Sequence, residues 1–340
     1  MKSAWGRLGV ASFAMVLIIG ACGGDDESNG GGSTGGDGEP TEVTLRLDYL
    51  VSGYAAPLVA GVEKGIFAEH GLDVTVLEGK GSSTTVQTVG NGTDTFGLAD
   101  FGTAALLITD GLPAKAIAGV LQTSPNGLAY LGDEVQIDGP EDLEGLSVGG
   151  AQGESPLTLL PAVLEQAGLP EDVAKVRLMD AGAKFPALFG GQVDAVGSFS
   201  VGSFTAIKLE RPDAEIALYS DWGVNTLSAG FITSNSFIEE NPDAVRAFIQ
   251  AAGEAWEWAL ANPQEAVDLT MERFPEANPE ALMAGLTGSE GLLHTPASEG
   301  QPFGWVAEED WQNTIDLMEQ YGGLEGPLPV GEYFTNDFVE

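Results

Sequence analysis

Leu45-Arg46-Leu47-Asp48-Tyr49-Leu50-Val51-Ser52-Gly53-Tyr54-Ala55-Ala56-Pro57-Leu58-Val59 opens a run to Phe101 that alternates strand and helix. After a strand from Leu45, the turn Val51 to Pro57 leads into Leu58, Val59, Val62 and Ile66, which recur at helical spacing. Pro57 suits a first helical position, and Gly65 suits the left-handed residue that stops a helix. Glu69-His70-Gly71 reads as a turn. Leu72, Val74 and Val76 then alternate with Asp73, Thr75 and Leu77, the period of a strand. In the loop Glu78 to Ser83, Ser82 or Ser83 is placed to cap a helix through Val86 and Val89. A further strand, Thr95 to Ala99, ends on Asp100-Phe101-Gly102 and leads into another helix.

Three strand ends in succession thus carry small, polar or aromatic residues at the mouths of helices. In an open α/β sheet, ligands bind outside the carboxyl ends of the strands. Tight βα turns also need Gly and Ser for backbone reasons alone. Ser52, Tyr54, Lys80, Ser82, Ser83, Asp100 and Phe101 are the binding candidates of this half.

Pro57, Ala60, Gly65, Phe67, Gly71-Leu72-Asp73-Val74, Gly81-Ser82-Ser83 and Phe96-Gly97-Leu98-Ala99-Asp100 together carry a family resemblance. The order resembles the solute-binding proteins of ABC importers, in the group that includes the sulfonate, nitrate, riboflavin and thiamine-pyrimidine binders and is related to the yeast-type pyrimidine synthase. The likeness extends through Gly139 to Gly145, Gly150 to Gly153, Pro186-Ala187-Leu188, Gly191 to Ala195, Trp311 to Leu317 and Tyr333 to Phe338. It implies a two-lobed periplasmic-binding-protein type II fold, each lobe a mostly parallel sheet flanked by helices, with the ligand cleft between. It also implies an extracytoplasmic role, with an ABC permease and its ATPase as partners. The synthases of the group depend on a cysteine-rich motif and a histidine donor that are absent here. Many relatives carry a His near the place of Tyr54.

At the beginning of the chain, Lys2 and Arg7 precede an apolar run from Leu8 to Ile19, too short to span a bilayer as a helix. It ends in Ile19-Gly20-Ala21-Cys22, similar to a bacterial lipobox, so residues 1–21 read as a signal peptide and Cys22 as the lipidation site. Residues 22–40, rich in Gly, Ser and Asp, read as a flexible tether. The chain carries 51 acidic against 13 basic residues, a formal charge of −38, which excludes phosphate-based nucleic-acid binding. Cys22 is the single cysteine, so no disulfide forms within the chain and a hydrophobic core must hold the fold as two lobes. A monomer is expected.

Beyond residue 101 the alternation of strands and helices continues, as parallel sheets require. Lys115 to Leu121 is a strand, and turn-rich Ser124 to Gly127 is the expected first crossing between lobes. The second lobe is expected over 127–229, and the first over 41–126 plus 230–340. After Leu146 to Val148, Ser155 is placed to cap a helix that Pro156 starts and Gly168 stops. Strands are expected at Val176 to Met179, Gln192 to Gly197 and Ile216 to Tyr219, and a helix over Lys184 to Phe189. Leu227 to Thr233 reads as the return crossing. Gln152, Glu154, Ser155, Phe199 and Trp222 are the candidates on this side. After Pro242 the chain turns helical, with Val245, Phe248, Ile249, Ala252, Trp256 and Leu260 as one stripe and Trp305 to Tyr321 as an outer brace.

Reacting groups are missing. His70 and His294 are the only histidines and lie in no metal-ligand spacing, and Gly79-Lys80-Gly81 lacks the order of a phosphate loop. No catalytic residue, cofactor or metal is expected. Carboxylates among the candidates repel a bare anion, whereas Tyr54, Phe101, Phe199 and Trp222 offer stacking faces. A heteroaromatic solute, a thiamine-precursor pyrimidine or a flavin-like compound, is therefore preferred over sulfonate or nitrate. A binder of sulfonate, nitrate or another small organic anion is the alternative, and a sensor-type lipoprotein or secreted enzyme on the same fold ranks behind it.

Overall fold

A computed structural model describes residues 40–151 and 154–340; the signal peptide, the lipidation site and all of the tether but Pro40 lie outside them. The opening stretch forms β1 (Thr41–Arg46), α1 (Ala56–Lys64), α2 (Ile66–Glu69), β2 (Leu72–Leu77), α3 (Ser82–Gly90) and β3 (Phe96–Asp100). β1 and β2 run parallel from Thr41 opposite Leu72 to Arg46 opposite Leu77. Leu72, Val74 and Val76 are buried while Asp73 and Thr75 face solvent, which is the alternation their spacing dictates. Gly65 stops α1 in the left-handed region at φ 87°, and the short α2 follows, ending at Glu69, where the sequence reads as a turn.

The chain continues through α4 (Phe101–Thr109), β4 (Ala114–Gly119), β5 (Asn126–Leu131), β6 (Ser147–Gly150), α5 (Ser155–Gln166), β7 (Lys175–Leu178), α6 (Lys184–Phe189), β8 (Ala195–Phe199), α7 (Ser203–Glu210), β9 (Ala214–Leu218) and β10 (Ala229–Ser234). Two five-stranded sheets result, in the orders β2-β1-β3-β10-β4 and β7-β6-β8-β5-β9. Each sheet anchors one lobe. β10 lies between β3 and β4 and runs antiparallel to both, and β5 does the same between β8 and β9. Both sheets are therefore mixed. β5 and β10 are the strands by which the chain enters each lobe directly from the other, without the helical crossover that parallel pairing needs. The segment read as the return crossing, Leu227 to Thr233, is mostly β10 itself, fully buried and at the heart of the first sheet. Its apolar continuity fits a central strand better than a linker.

The remaining helices are α8 (Asn235–Glu240), α9 (Pro242–Ala261), α10 (Pro263–Arg273), α11 (Pro279–Ser289) and α12 (Glu308–Gln320). α9 buries Phe248 against the first sheet, stacked on Phe96 at 3.9 Å and edge-on to Phe231 at 5.0 Å. Trp256 is fully buried and Trp258 half-buried on the same helix. α12 does more than brace one lobe. Trp311 and Ile315 lie in a first-lobe core, Leu317 and Tyr321 pack on the second-lobe core, and the Tyr321 hydroxyl donates to Glu165 at 2.5 Å.

Candidate functional site

The first wall is built at the carboxyl ends of β1 and β3. Arg46 clamps Asp94 through Nε and Nη2 (2.9 and 3.1 Å) and donates from Nη1 to the Glu78 carbonyl, fixing the loop after β2. From that loop Glu78 accepts the Val51 amide at 2.9 Å, which sets the turn before α1. The Tyr54 hydroxyl from this turn donates to Asp48, just beyond β1. Burial, opposed by that bond, raises the Asp48 carboxyl above its ordinary range. Burial and then the Asp48 charge hold the Tyr54 hydroxyl well above 10.

Asp100, at the end of β3, caps α4: Oδ1 accepts the Thr103 amide at 2.8 Å and its hydroxyl at 2.9 Å. Its own amide donates to Ser82 Oγ at 3.1 Å. Burial pushes the Asp100 carboxyl up to about 6 against the pull of Thr103, and the Asp48 charge adds to the push. The two carboxyls therefore feel each other across the wall. Ser52 Oγ is buried beside them with no hydrogen-bond partner.

The second wall stands at the carboxyl ends of β6 and β8 and the start of β5. Glu154, just ahead of α5, accepts Lys184 Nζ at 2.7 Å, with side chains 17% and 10% exposed. Lys184 also donates to the Gly197 carbonyl at 2.9 Å, while Glu154 Oε1 is buried without a partner. Asn126, the first residue of β5 and opposite Phe199 of β8, donates to Ser124 Oγ at 2.8 Å and leaves Oδ1 buried and unpartnered. Ser203 Oγ accepts the Phe199 amide at 3.1 Å, which holds the half-buried Phe199 at the strand end.

Of the residues singled out in sequence, Ser52, Tyr54, Ser82 and Asp100 come together on the first wall, and Glu154, Ser155 and Phe199 lie on the second. Lys80 and Ser83 are exposed on the loop after β2 and at the start of α3. Gln152 lies outside the described residues. Phe101 is 1% exposed, 4.8 Å from the Trp311 ring, and a Cβ at Gly230 would run into it, so its stacking face is spent on the core. Trp222 stacks on Tyr219 at 6.0 Å and packs on the second-lobe core. The expected caps also shift by one residue. Gly81, at φ 114°, precedes α3, which frees the Ser82 hydroxyl for the Asp100 amide, and Glu154 rather than Ser155 precedes α5.

Asp48, Asn126 and Lys184 escaped the sequence reading. A carboxylate just past an alternating strand, an Asn opening an apolar strand and a lysine in an acid-rich chain were the available signals. A groove of about 710 Å³ runs along α12, lined by Trp305, Glu308 and Gln312, and none of the binding candidates lines it. Chemically, the two walls are rich in acceptors. Lys184, the cation on the second wall, is already paired, so a ligand there meets carboxylates and amide or hydroxyl oxygens. N–H donors satisfy them and bare anions do not.

A family model described as NMT1/THI5 like matches residues 52–266. The formylaminopyrimidine-binding protein of Halalkalibacterium halodurans is 29% identical over 334 residues, covering 96% of this chain and 97% of the relative. The riboflavin-binding protein RibY of Chloroflexus aurantiacus is 28% identical over 321 residues, with 88% and 87% covered. Among solved structures, the periplasmic aliphatic sulphonate-binding protein SsuA of Escherichia coli superposes with a TM-score of 0.70 at 14% identity, covering 86% of this chain and 97% of that one. At that identity it shares the fold alone.

Proposed function

Because the chain belongs to the NMT1/THI5-like family, we propose that it is the extracytoplasmic solute-binding component of an ABC importer and captures a flat heteroaromatic of the aminopyrimidine class between its lobes. One observation carries this reading. Ser52 Oγ, Asn126 Oδ1 and Glu154 Oε1, drawn from both walls, are buried polar atoms without partners. Buried polar atoms are nearly always satisfied, so these atoms are open to a ligand's polar groups. An aminopyrimidine sets a ring acceptor beside an amino donor. Asp100, its carboxyl raised to about 6 by burial, is mostly ionised at neutral pH and can accept the amino N–H.

The formylaminopyrimidine-binding and riboflavin-binding relatives support a nitrogen heteroaromatic over a small anion. The chain's role on this reading is capture and hand-over to the permease, with no bond made or broken. Lipid on Cys22 would anchor it outside the membrane, and mass spectrometry of the membrane-bound protein should find the mature chain beginning there; an unmodified amino terminus upstream of Cys22 contradicts the anchor. Thermal melting against a panel of formylaminopyrimidine, riboflavin, taurine and nitrate tests the ligand class. The pyrimidine should raise the melting temperature, since a ligand at about 100 times its Kd adds about 2.7 kcal/mol. A shift with taurine or nitrate and none with either heteroaromatic contradicts the assignment.

A further inference from the structure

We propose that Gly53, Gly285 and Val201 form a catch that holds the two lobes together and sets how long a ligand stays between them. The proposal builds on the reading of the chain as a two-lobed binding protein, and it assigns these residues a positioning role. Val201 belongs to the second lobe, in the loop between β8 and α7. Its side chain is nevertheless 3% exposed and lies within the first-lobe core, beside Leu286 of α11. Gly288, one turn along, receives the same side chain: a Cβ there would meet Val201 Cγ1 at 3.4 Å.

The backbone contacts are tighter still. A Cβ at Gly285 would stand 2.7 Å from the Val201 carbonyl oxygen and 3.0 Å from Gly53 Cα. A Cβ at Gly53 would run into the Leu286 amide nitrogen and the Gly285 backbone. Neither glycine has a positive φ, so the missing side chain serves close approach rather than backbone freedom. These obstacles are main-chain atoms and cannot swing aside as a flexible side chain would.

Position gives the contact its consequence. Gly53 lies between Ser52 and Tyr54 in the turn that builds the first wall, and Val201 is two residues past Phe199 of the second. α11 packs against α1 and α10 on one side and α7 on the other. Its continuation also reaches the first crossing, where the Leu292 carbonyl accepts the Gln122 amide at 2.8 Å and the Thr123 amide at 3.0 Å. α11 thus ties the Tyr54 turn, the Phe199 loop and the crossing into one mechanical unit. Opening the lobes must lift Val201 off Gly285 and expose its side chain.

Hydrogen exchange of the unliganded full chain tests the catch without any ligand. In Gly285→Ala, amides of 199–205 and 281–289 should exchange about tenfold faster while β3 is unchanged, since the added methyl wedges the lobes apart. Val201→Ala removes the side chain without adding a clash and should loosen the same two segments. With formylaminopyrimidine as probe, both variants should release it about tenfold faster, with association nearly unaltered. Unchanged exchange in both variants, or faster exchange spread evenly through both lobes, overturns the catch. If the wild-type chain fails to bind the pyrimidine, the assigned ligand falls and the exchange result still decides the catch.

Discussion

Asp100 caps α4 through Oδ1 and titrates near pH 6, so its structural and binding roles separate on substitution. Asn caps a helix as well as Asp does, whereas Ala forfeits about 1 kcal/mol. Asp100→Asn should therefore melt within about 0.5 kcal/mol of wild type at pH 7, with Asp100→Ala about 1 kcal/mol lower. Both should weaken formylaminopyrimidine about tenfold or more by removing a charge-assisted hydrogen bond. Retained affinity in Asp100→Asn contradicts the role. The sign of the pH dependence follows from the raised pKa. Between the ordinary 3.8 and about 6 the folded chain holds a proton that the unfolded chain has lost, so this group's contribution to stability falls as pH rises through that window. A ligand donating N–H to the ionised carboxyl opposes that proton, so affinity for it should be full above pH 6 and decline below. Calorimetric titration across the window reads both directions. On the opposite wall, Lys184→Met leaves Glu154 buried without its cation and should destabilise by about 3 kcal/mol, measured by denaturant melts. Adding Glu154→Gln should recover most of that loss.

Elements were more legible than contacts. Periodicity locates α1, β2 and the Phe248 face of α9 because one buried face writes a 3.6 or 2.0 repeat into the sequence. β10 eluded that logic: buried on both faces, its run Ala229 to Ser234 has no alternation to read. The caps of α3 and α5 eluded it as well, because Gly81 adjoins Ser82 and Glu154 adjoins Ser155, and tertiary partners choose between neighbours. Phe101 shows the same limit from the other side. A phenylalanine at a strand end reads as a stacking face, yet α12, more than 200 residues later, brings Trp311 against it. Phe101→Ala should therefore cost about 3–5 kcal/mol of stability in a denaturant melt, the cost of emptying a core ring site. A change below about 1 kcal/mol with a loss of pyrimidine binding would return Phe101 to the cleft.

At the scale of the molecule, the chain passes from one five-stranded sheet to the other and returns through β10, and on the proposed reading the ligand's polar partners come from strand ends of both. The strand-helix alternation was readable in the sequence, whereas the segment read as the return crossing is mostly β10. The acceptor-rich chemistry of the walls was only half readable, because Asp48, Asn126 and Lys184 gain their meaning from partners distant in sequence or from burial. α12 and α11 each pack against elements of both lobes, at different places. On the proposed reading, carboxyl and amide oxygens of both walls hold an aminopyrimidine-type ligand between the lobes. Equilibrium titration of formylaminopyrimidine into the wild-type chain, Asp100→Asn and Glu154→Gln at pH 7 decides this. One site per chain is expected, with a Kd of about 1 μM or tighter, weakened about tenfold or more by each substitution on its own wall. Absence of binding, or wild-type affinity in both variants, would contradict it.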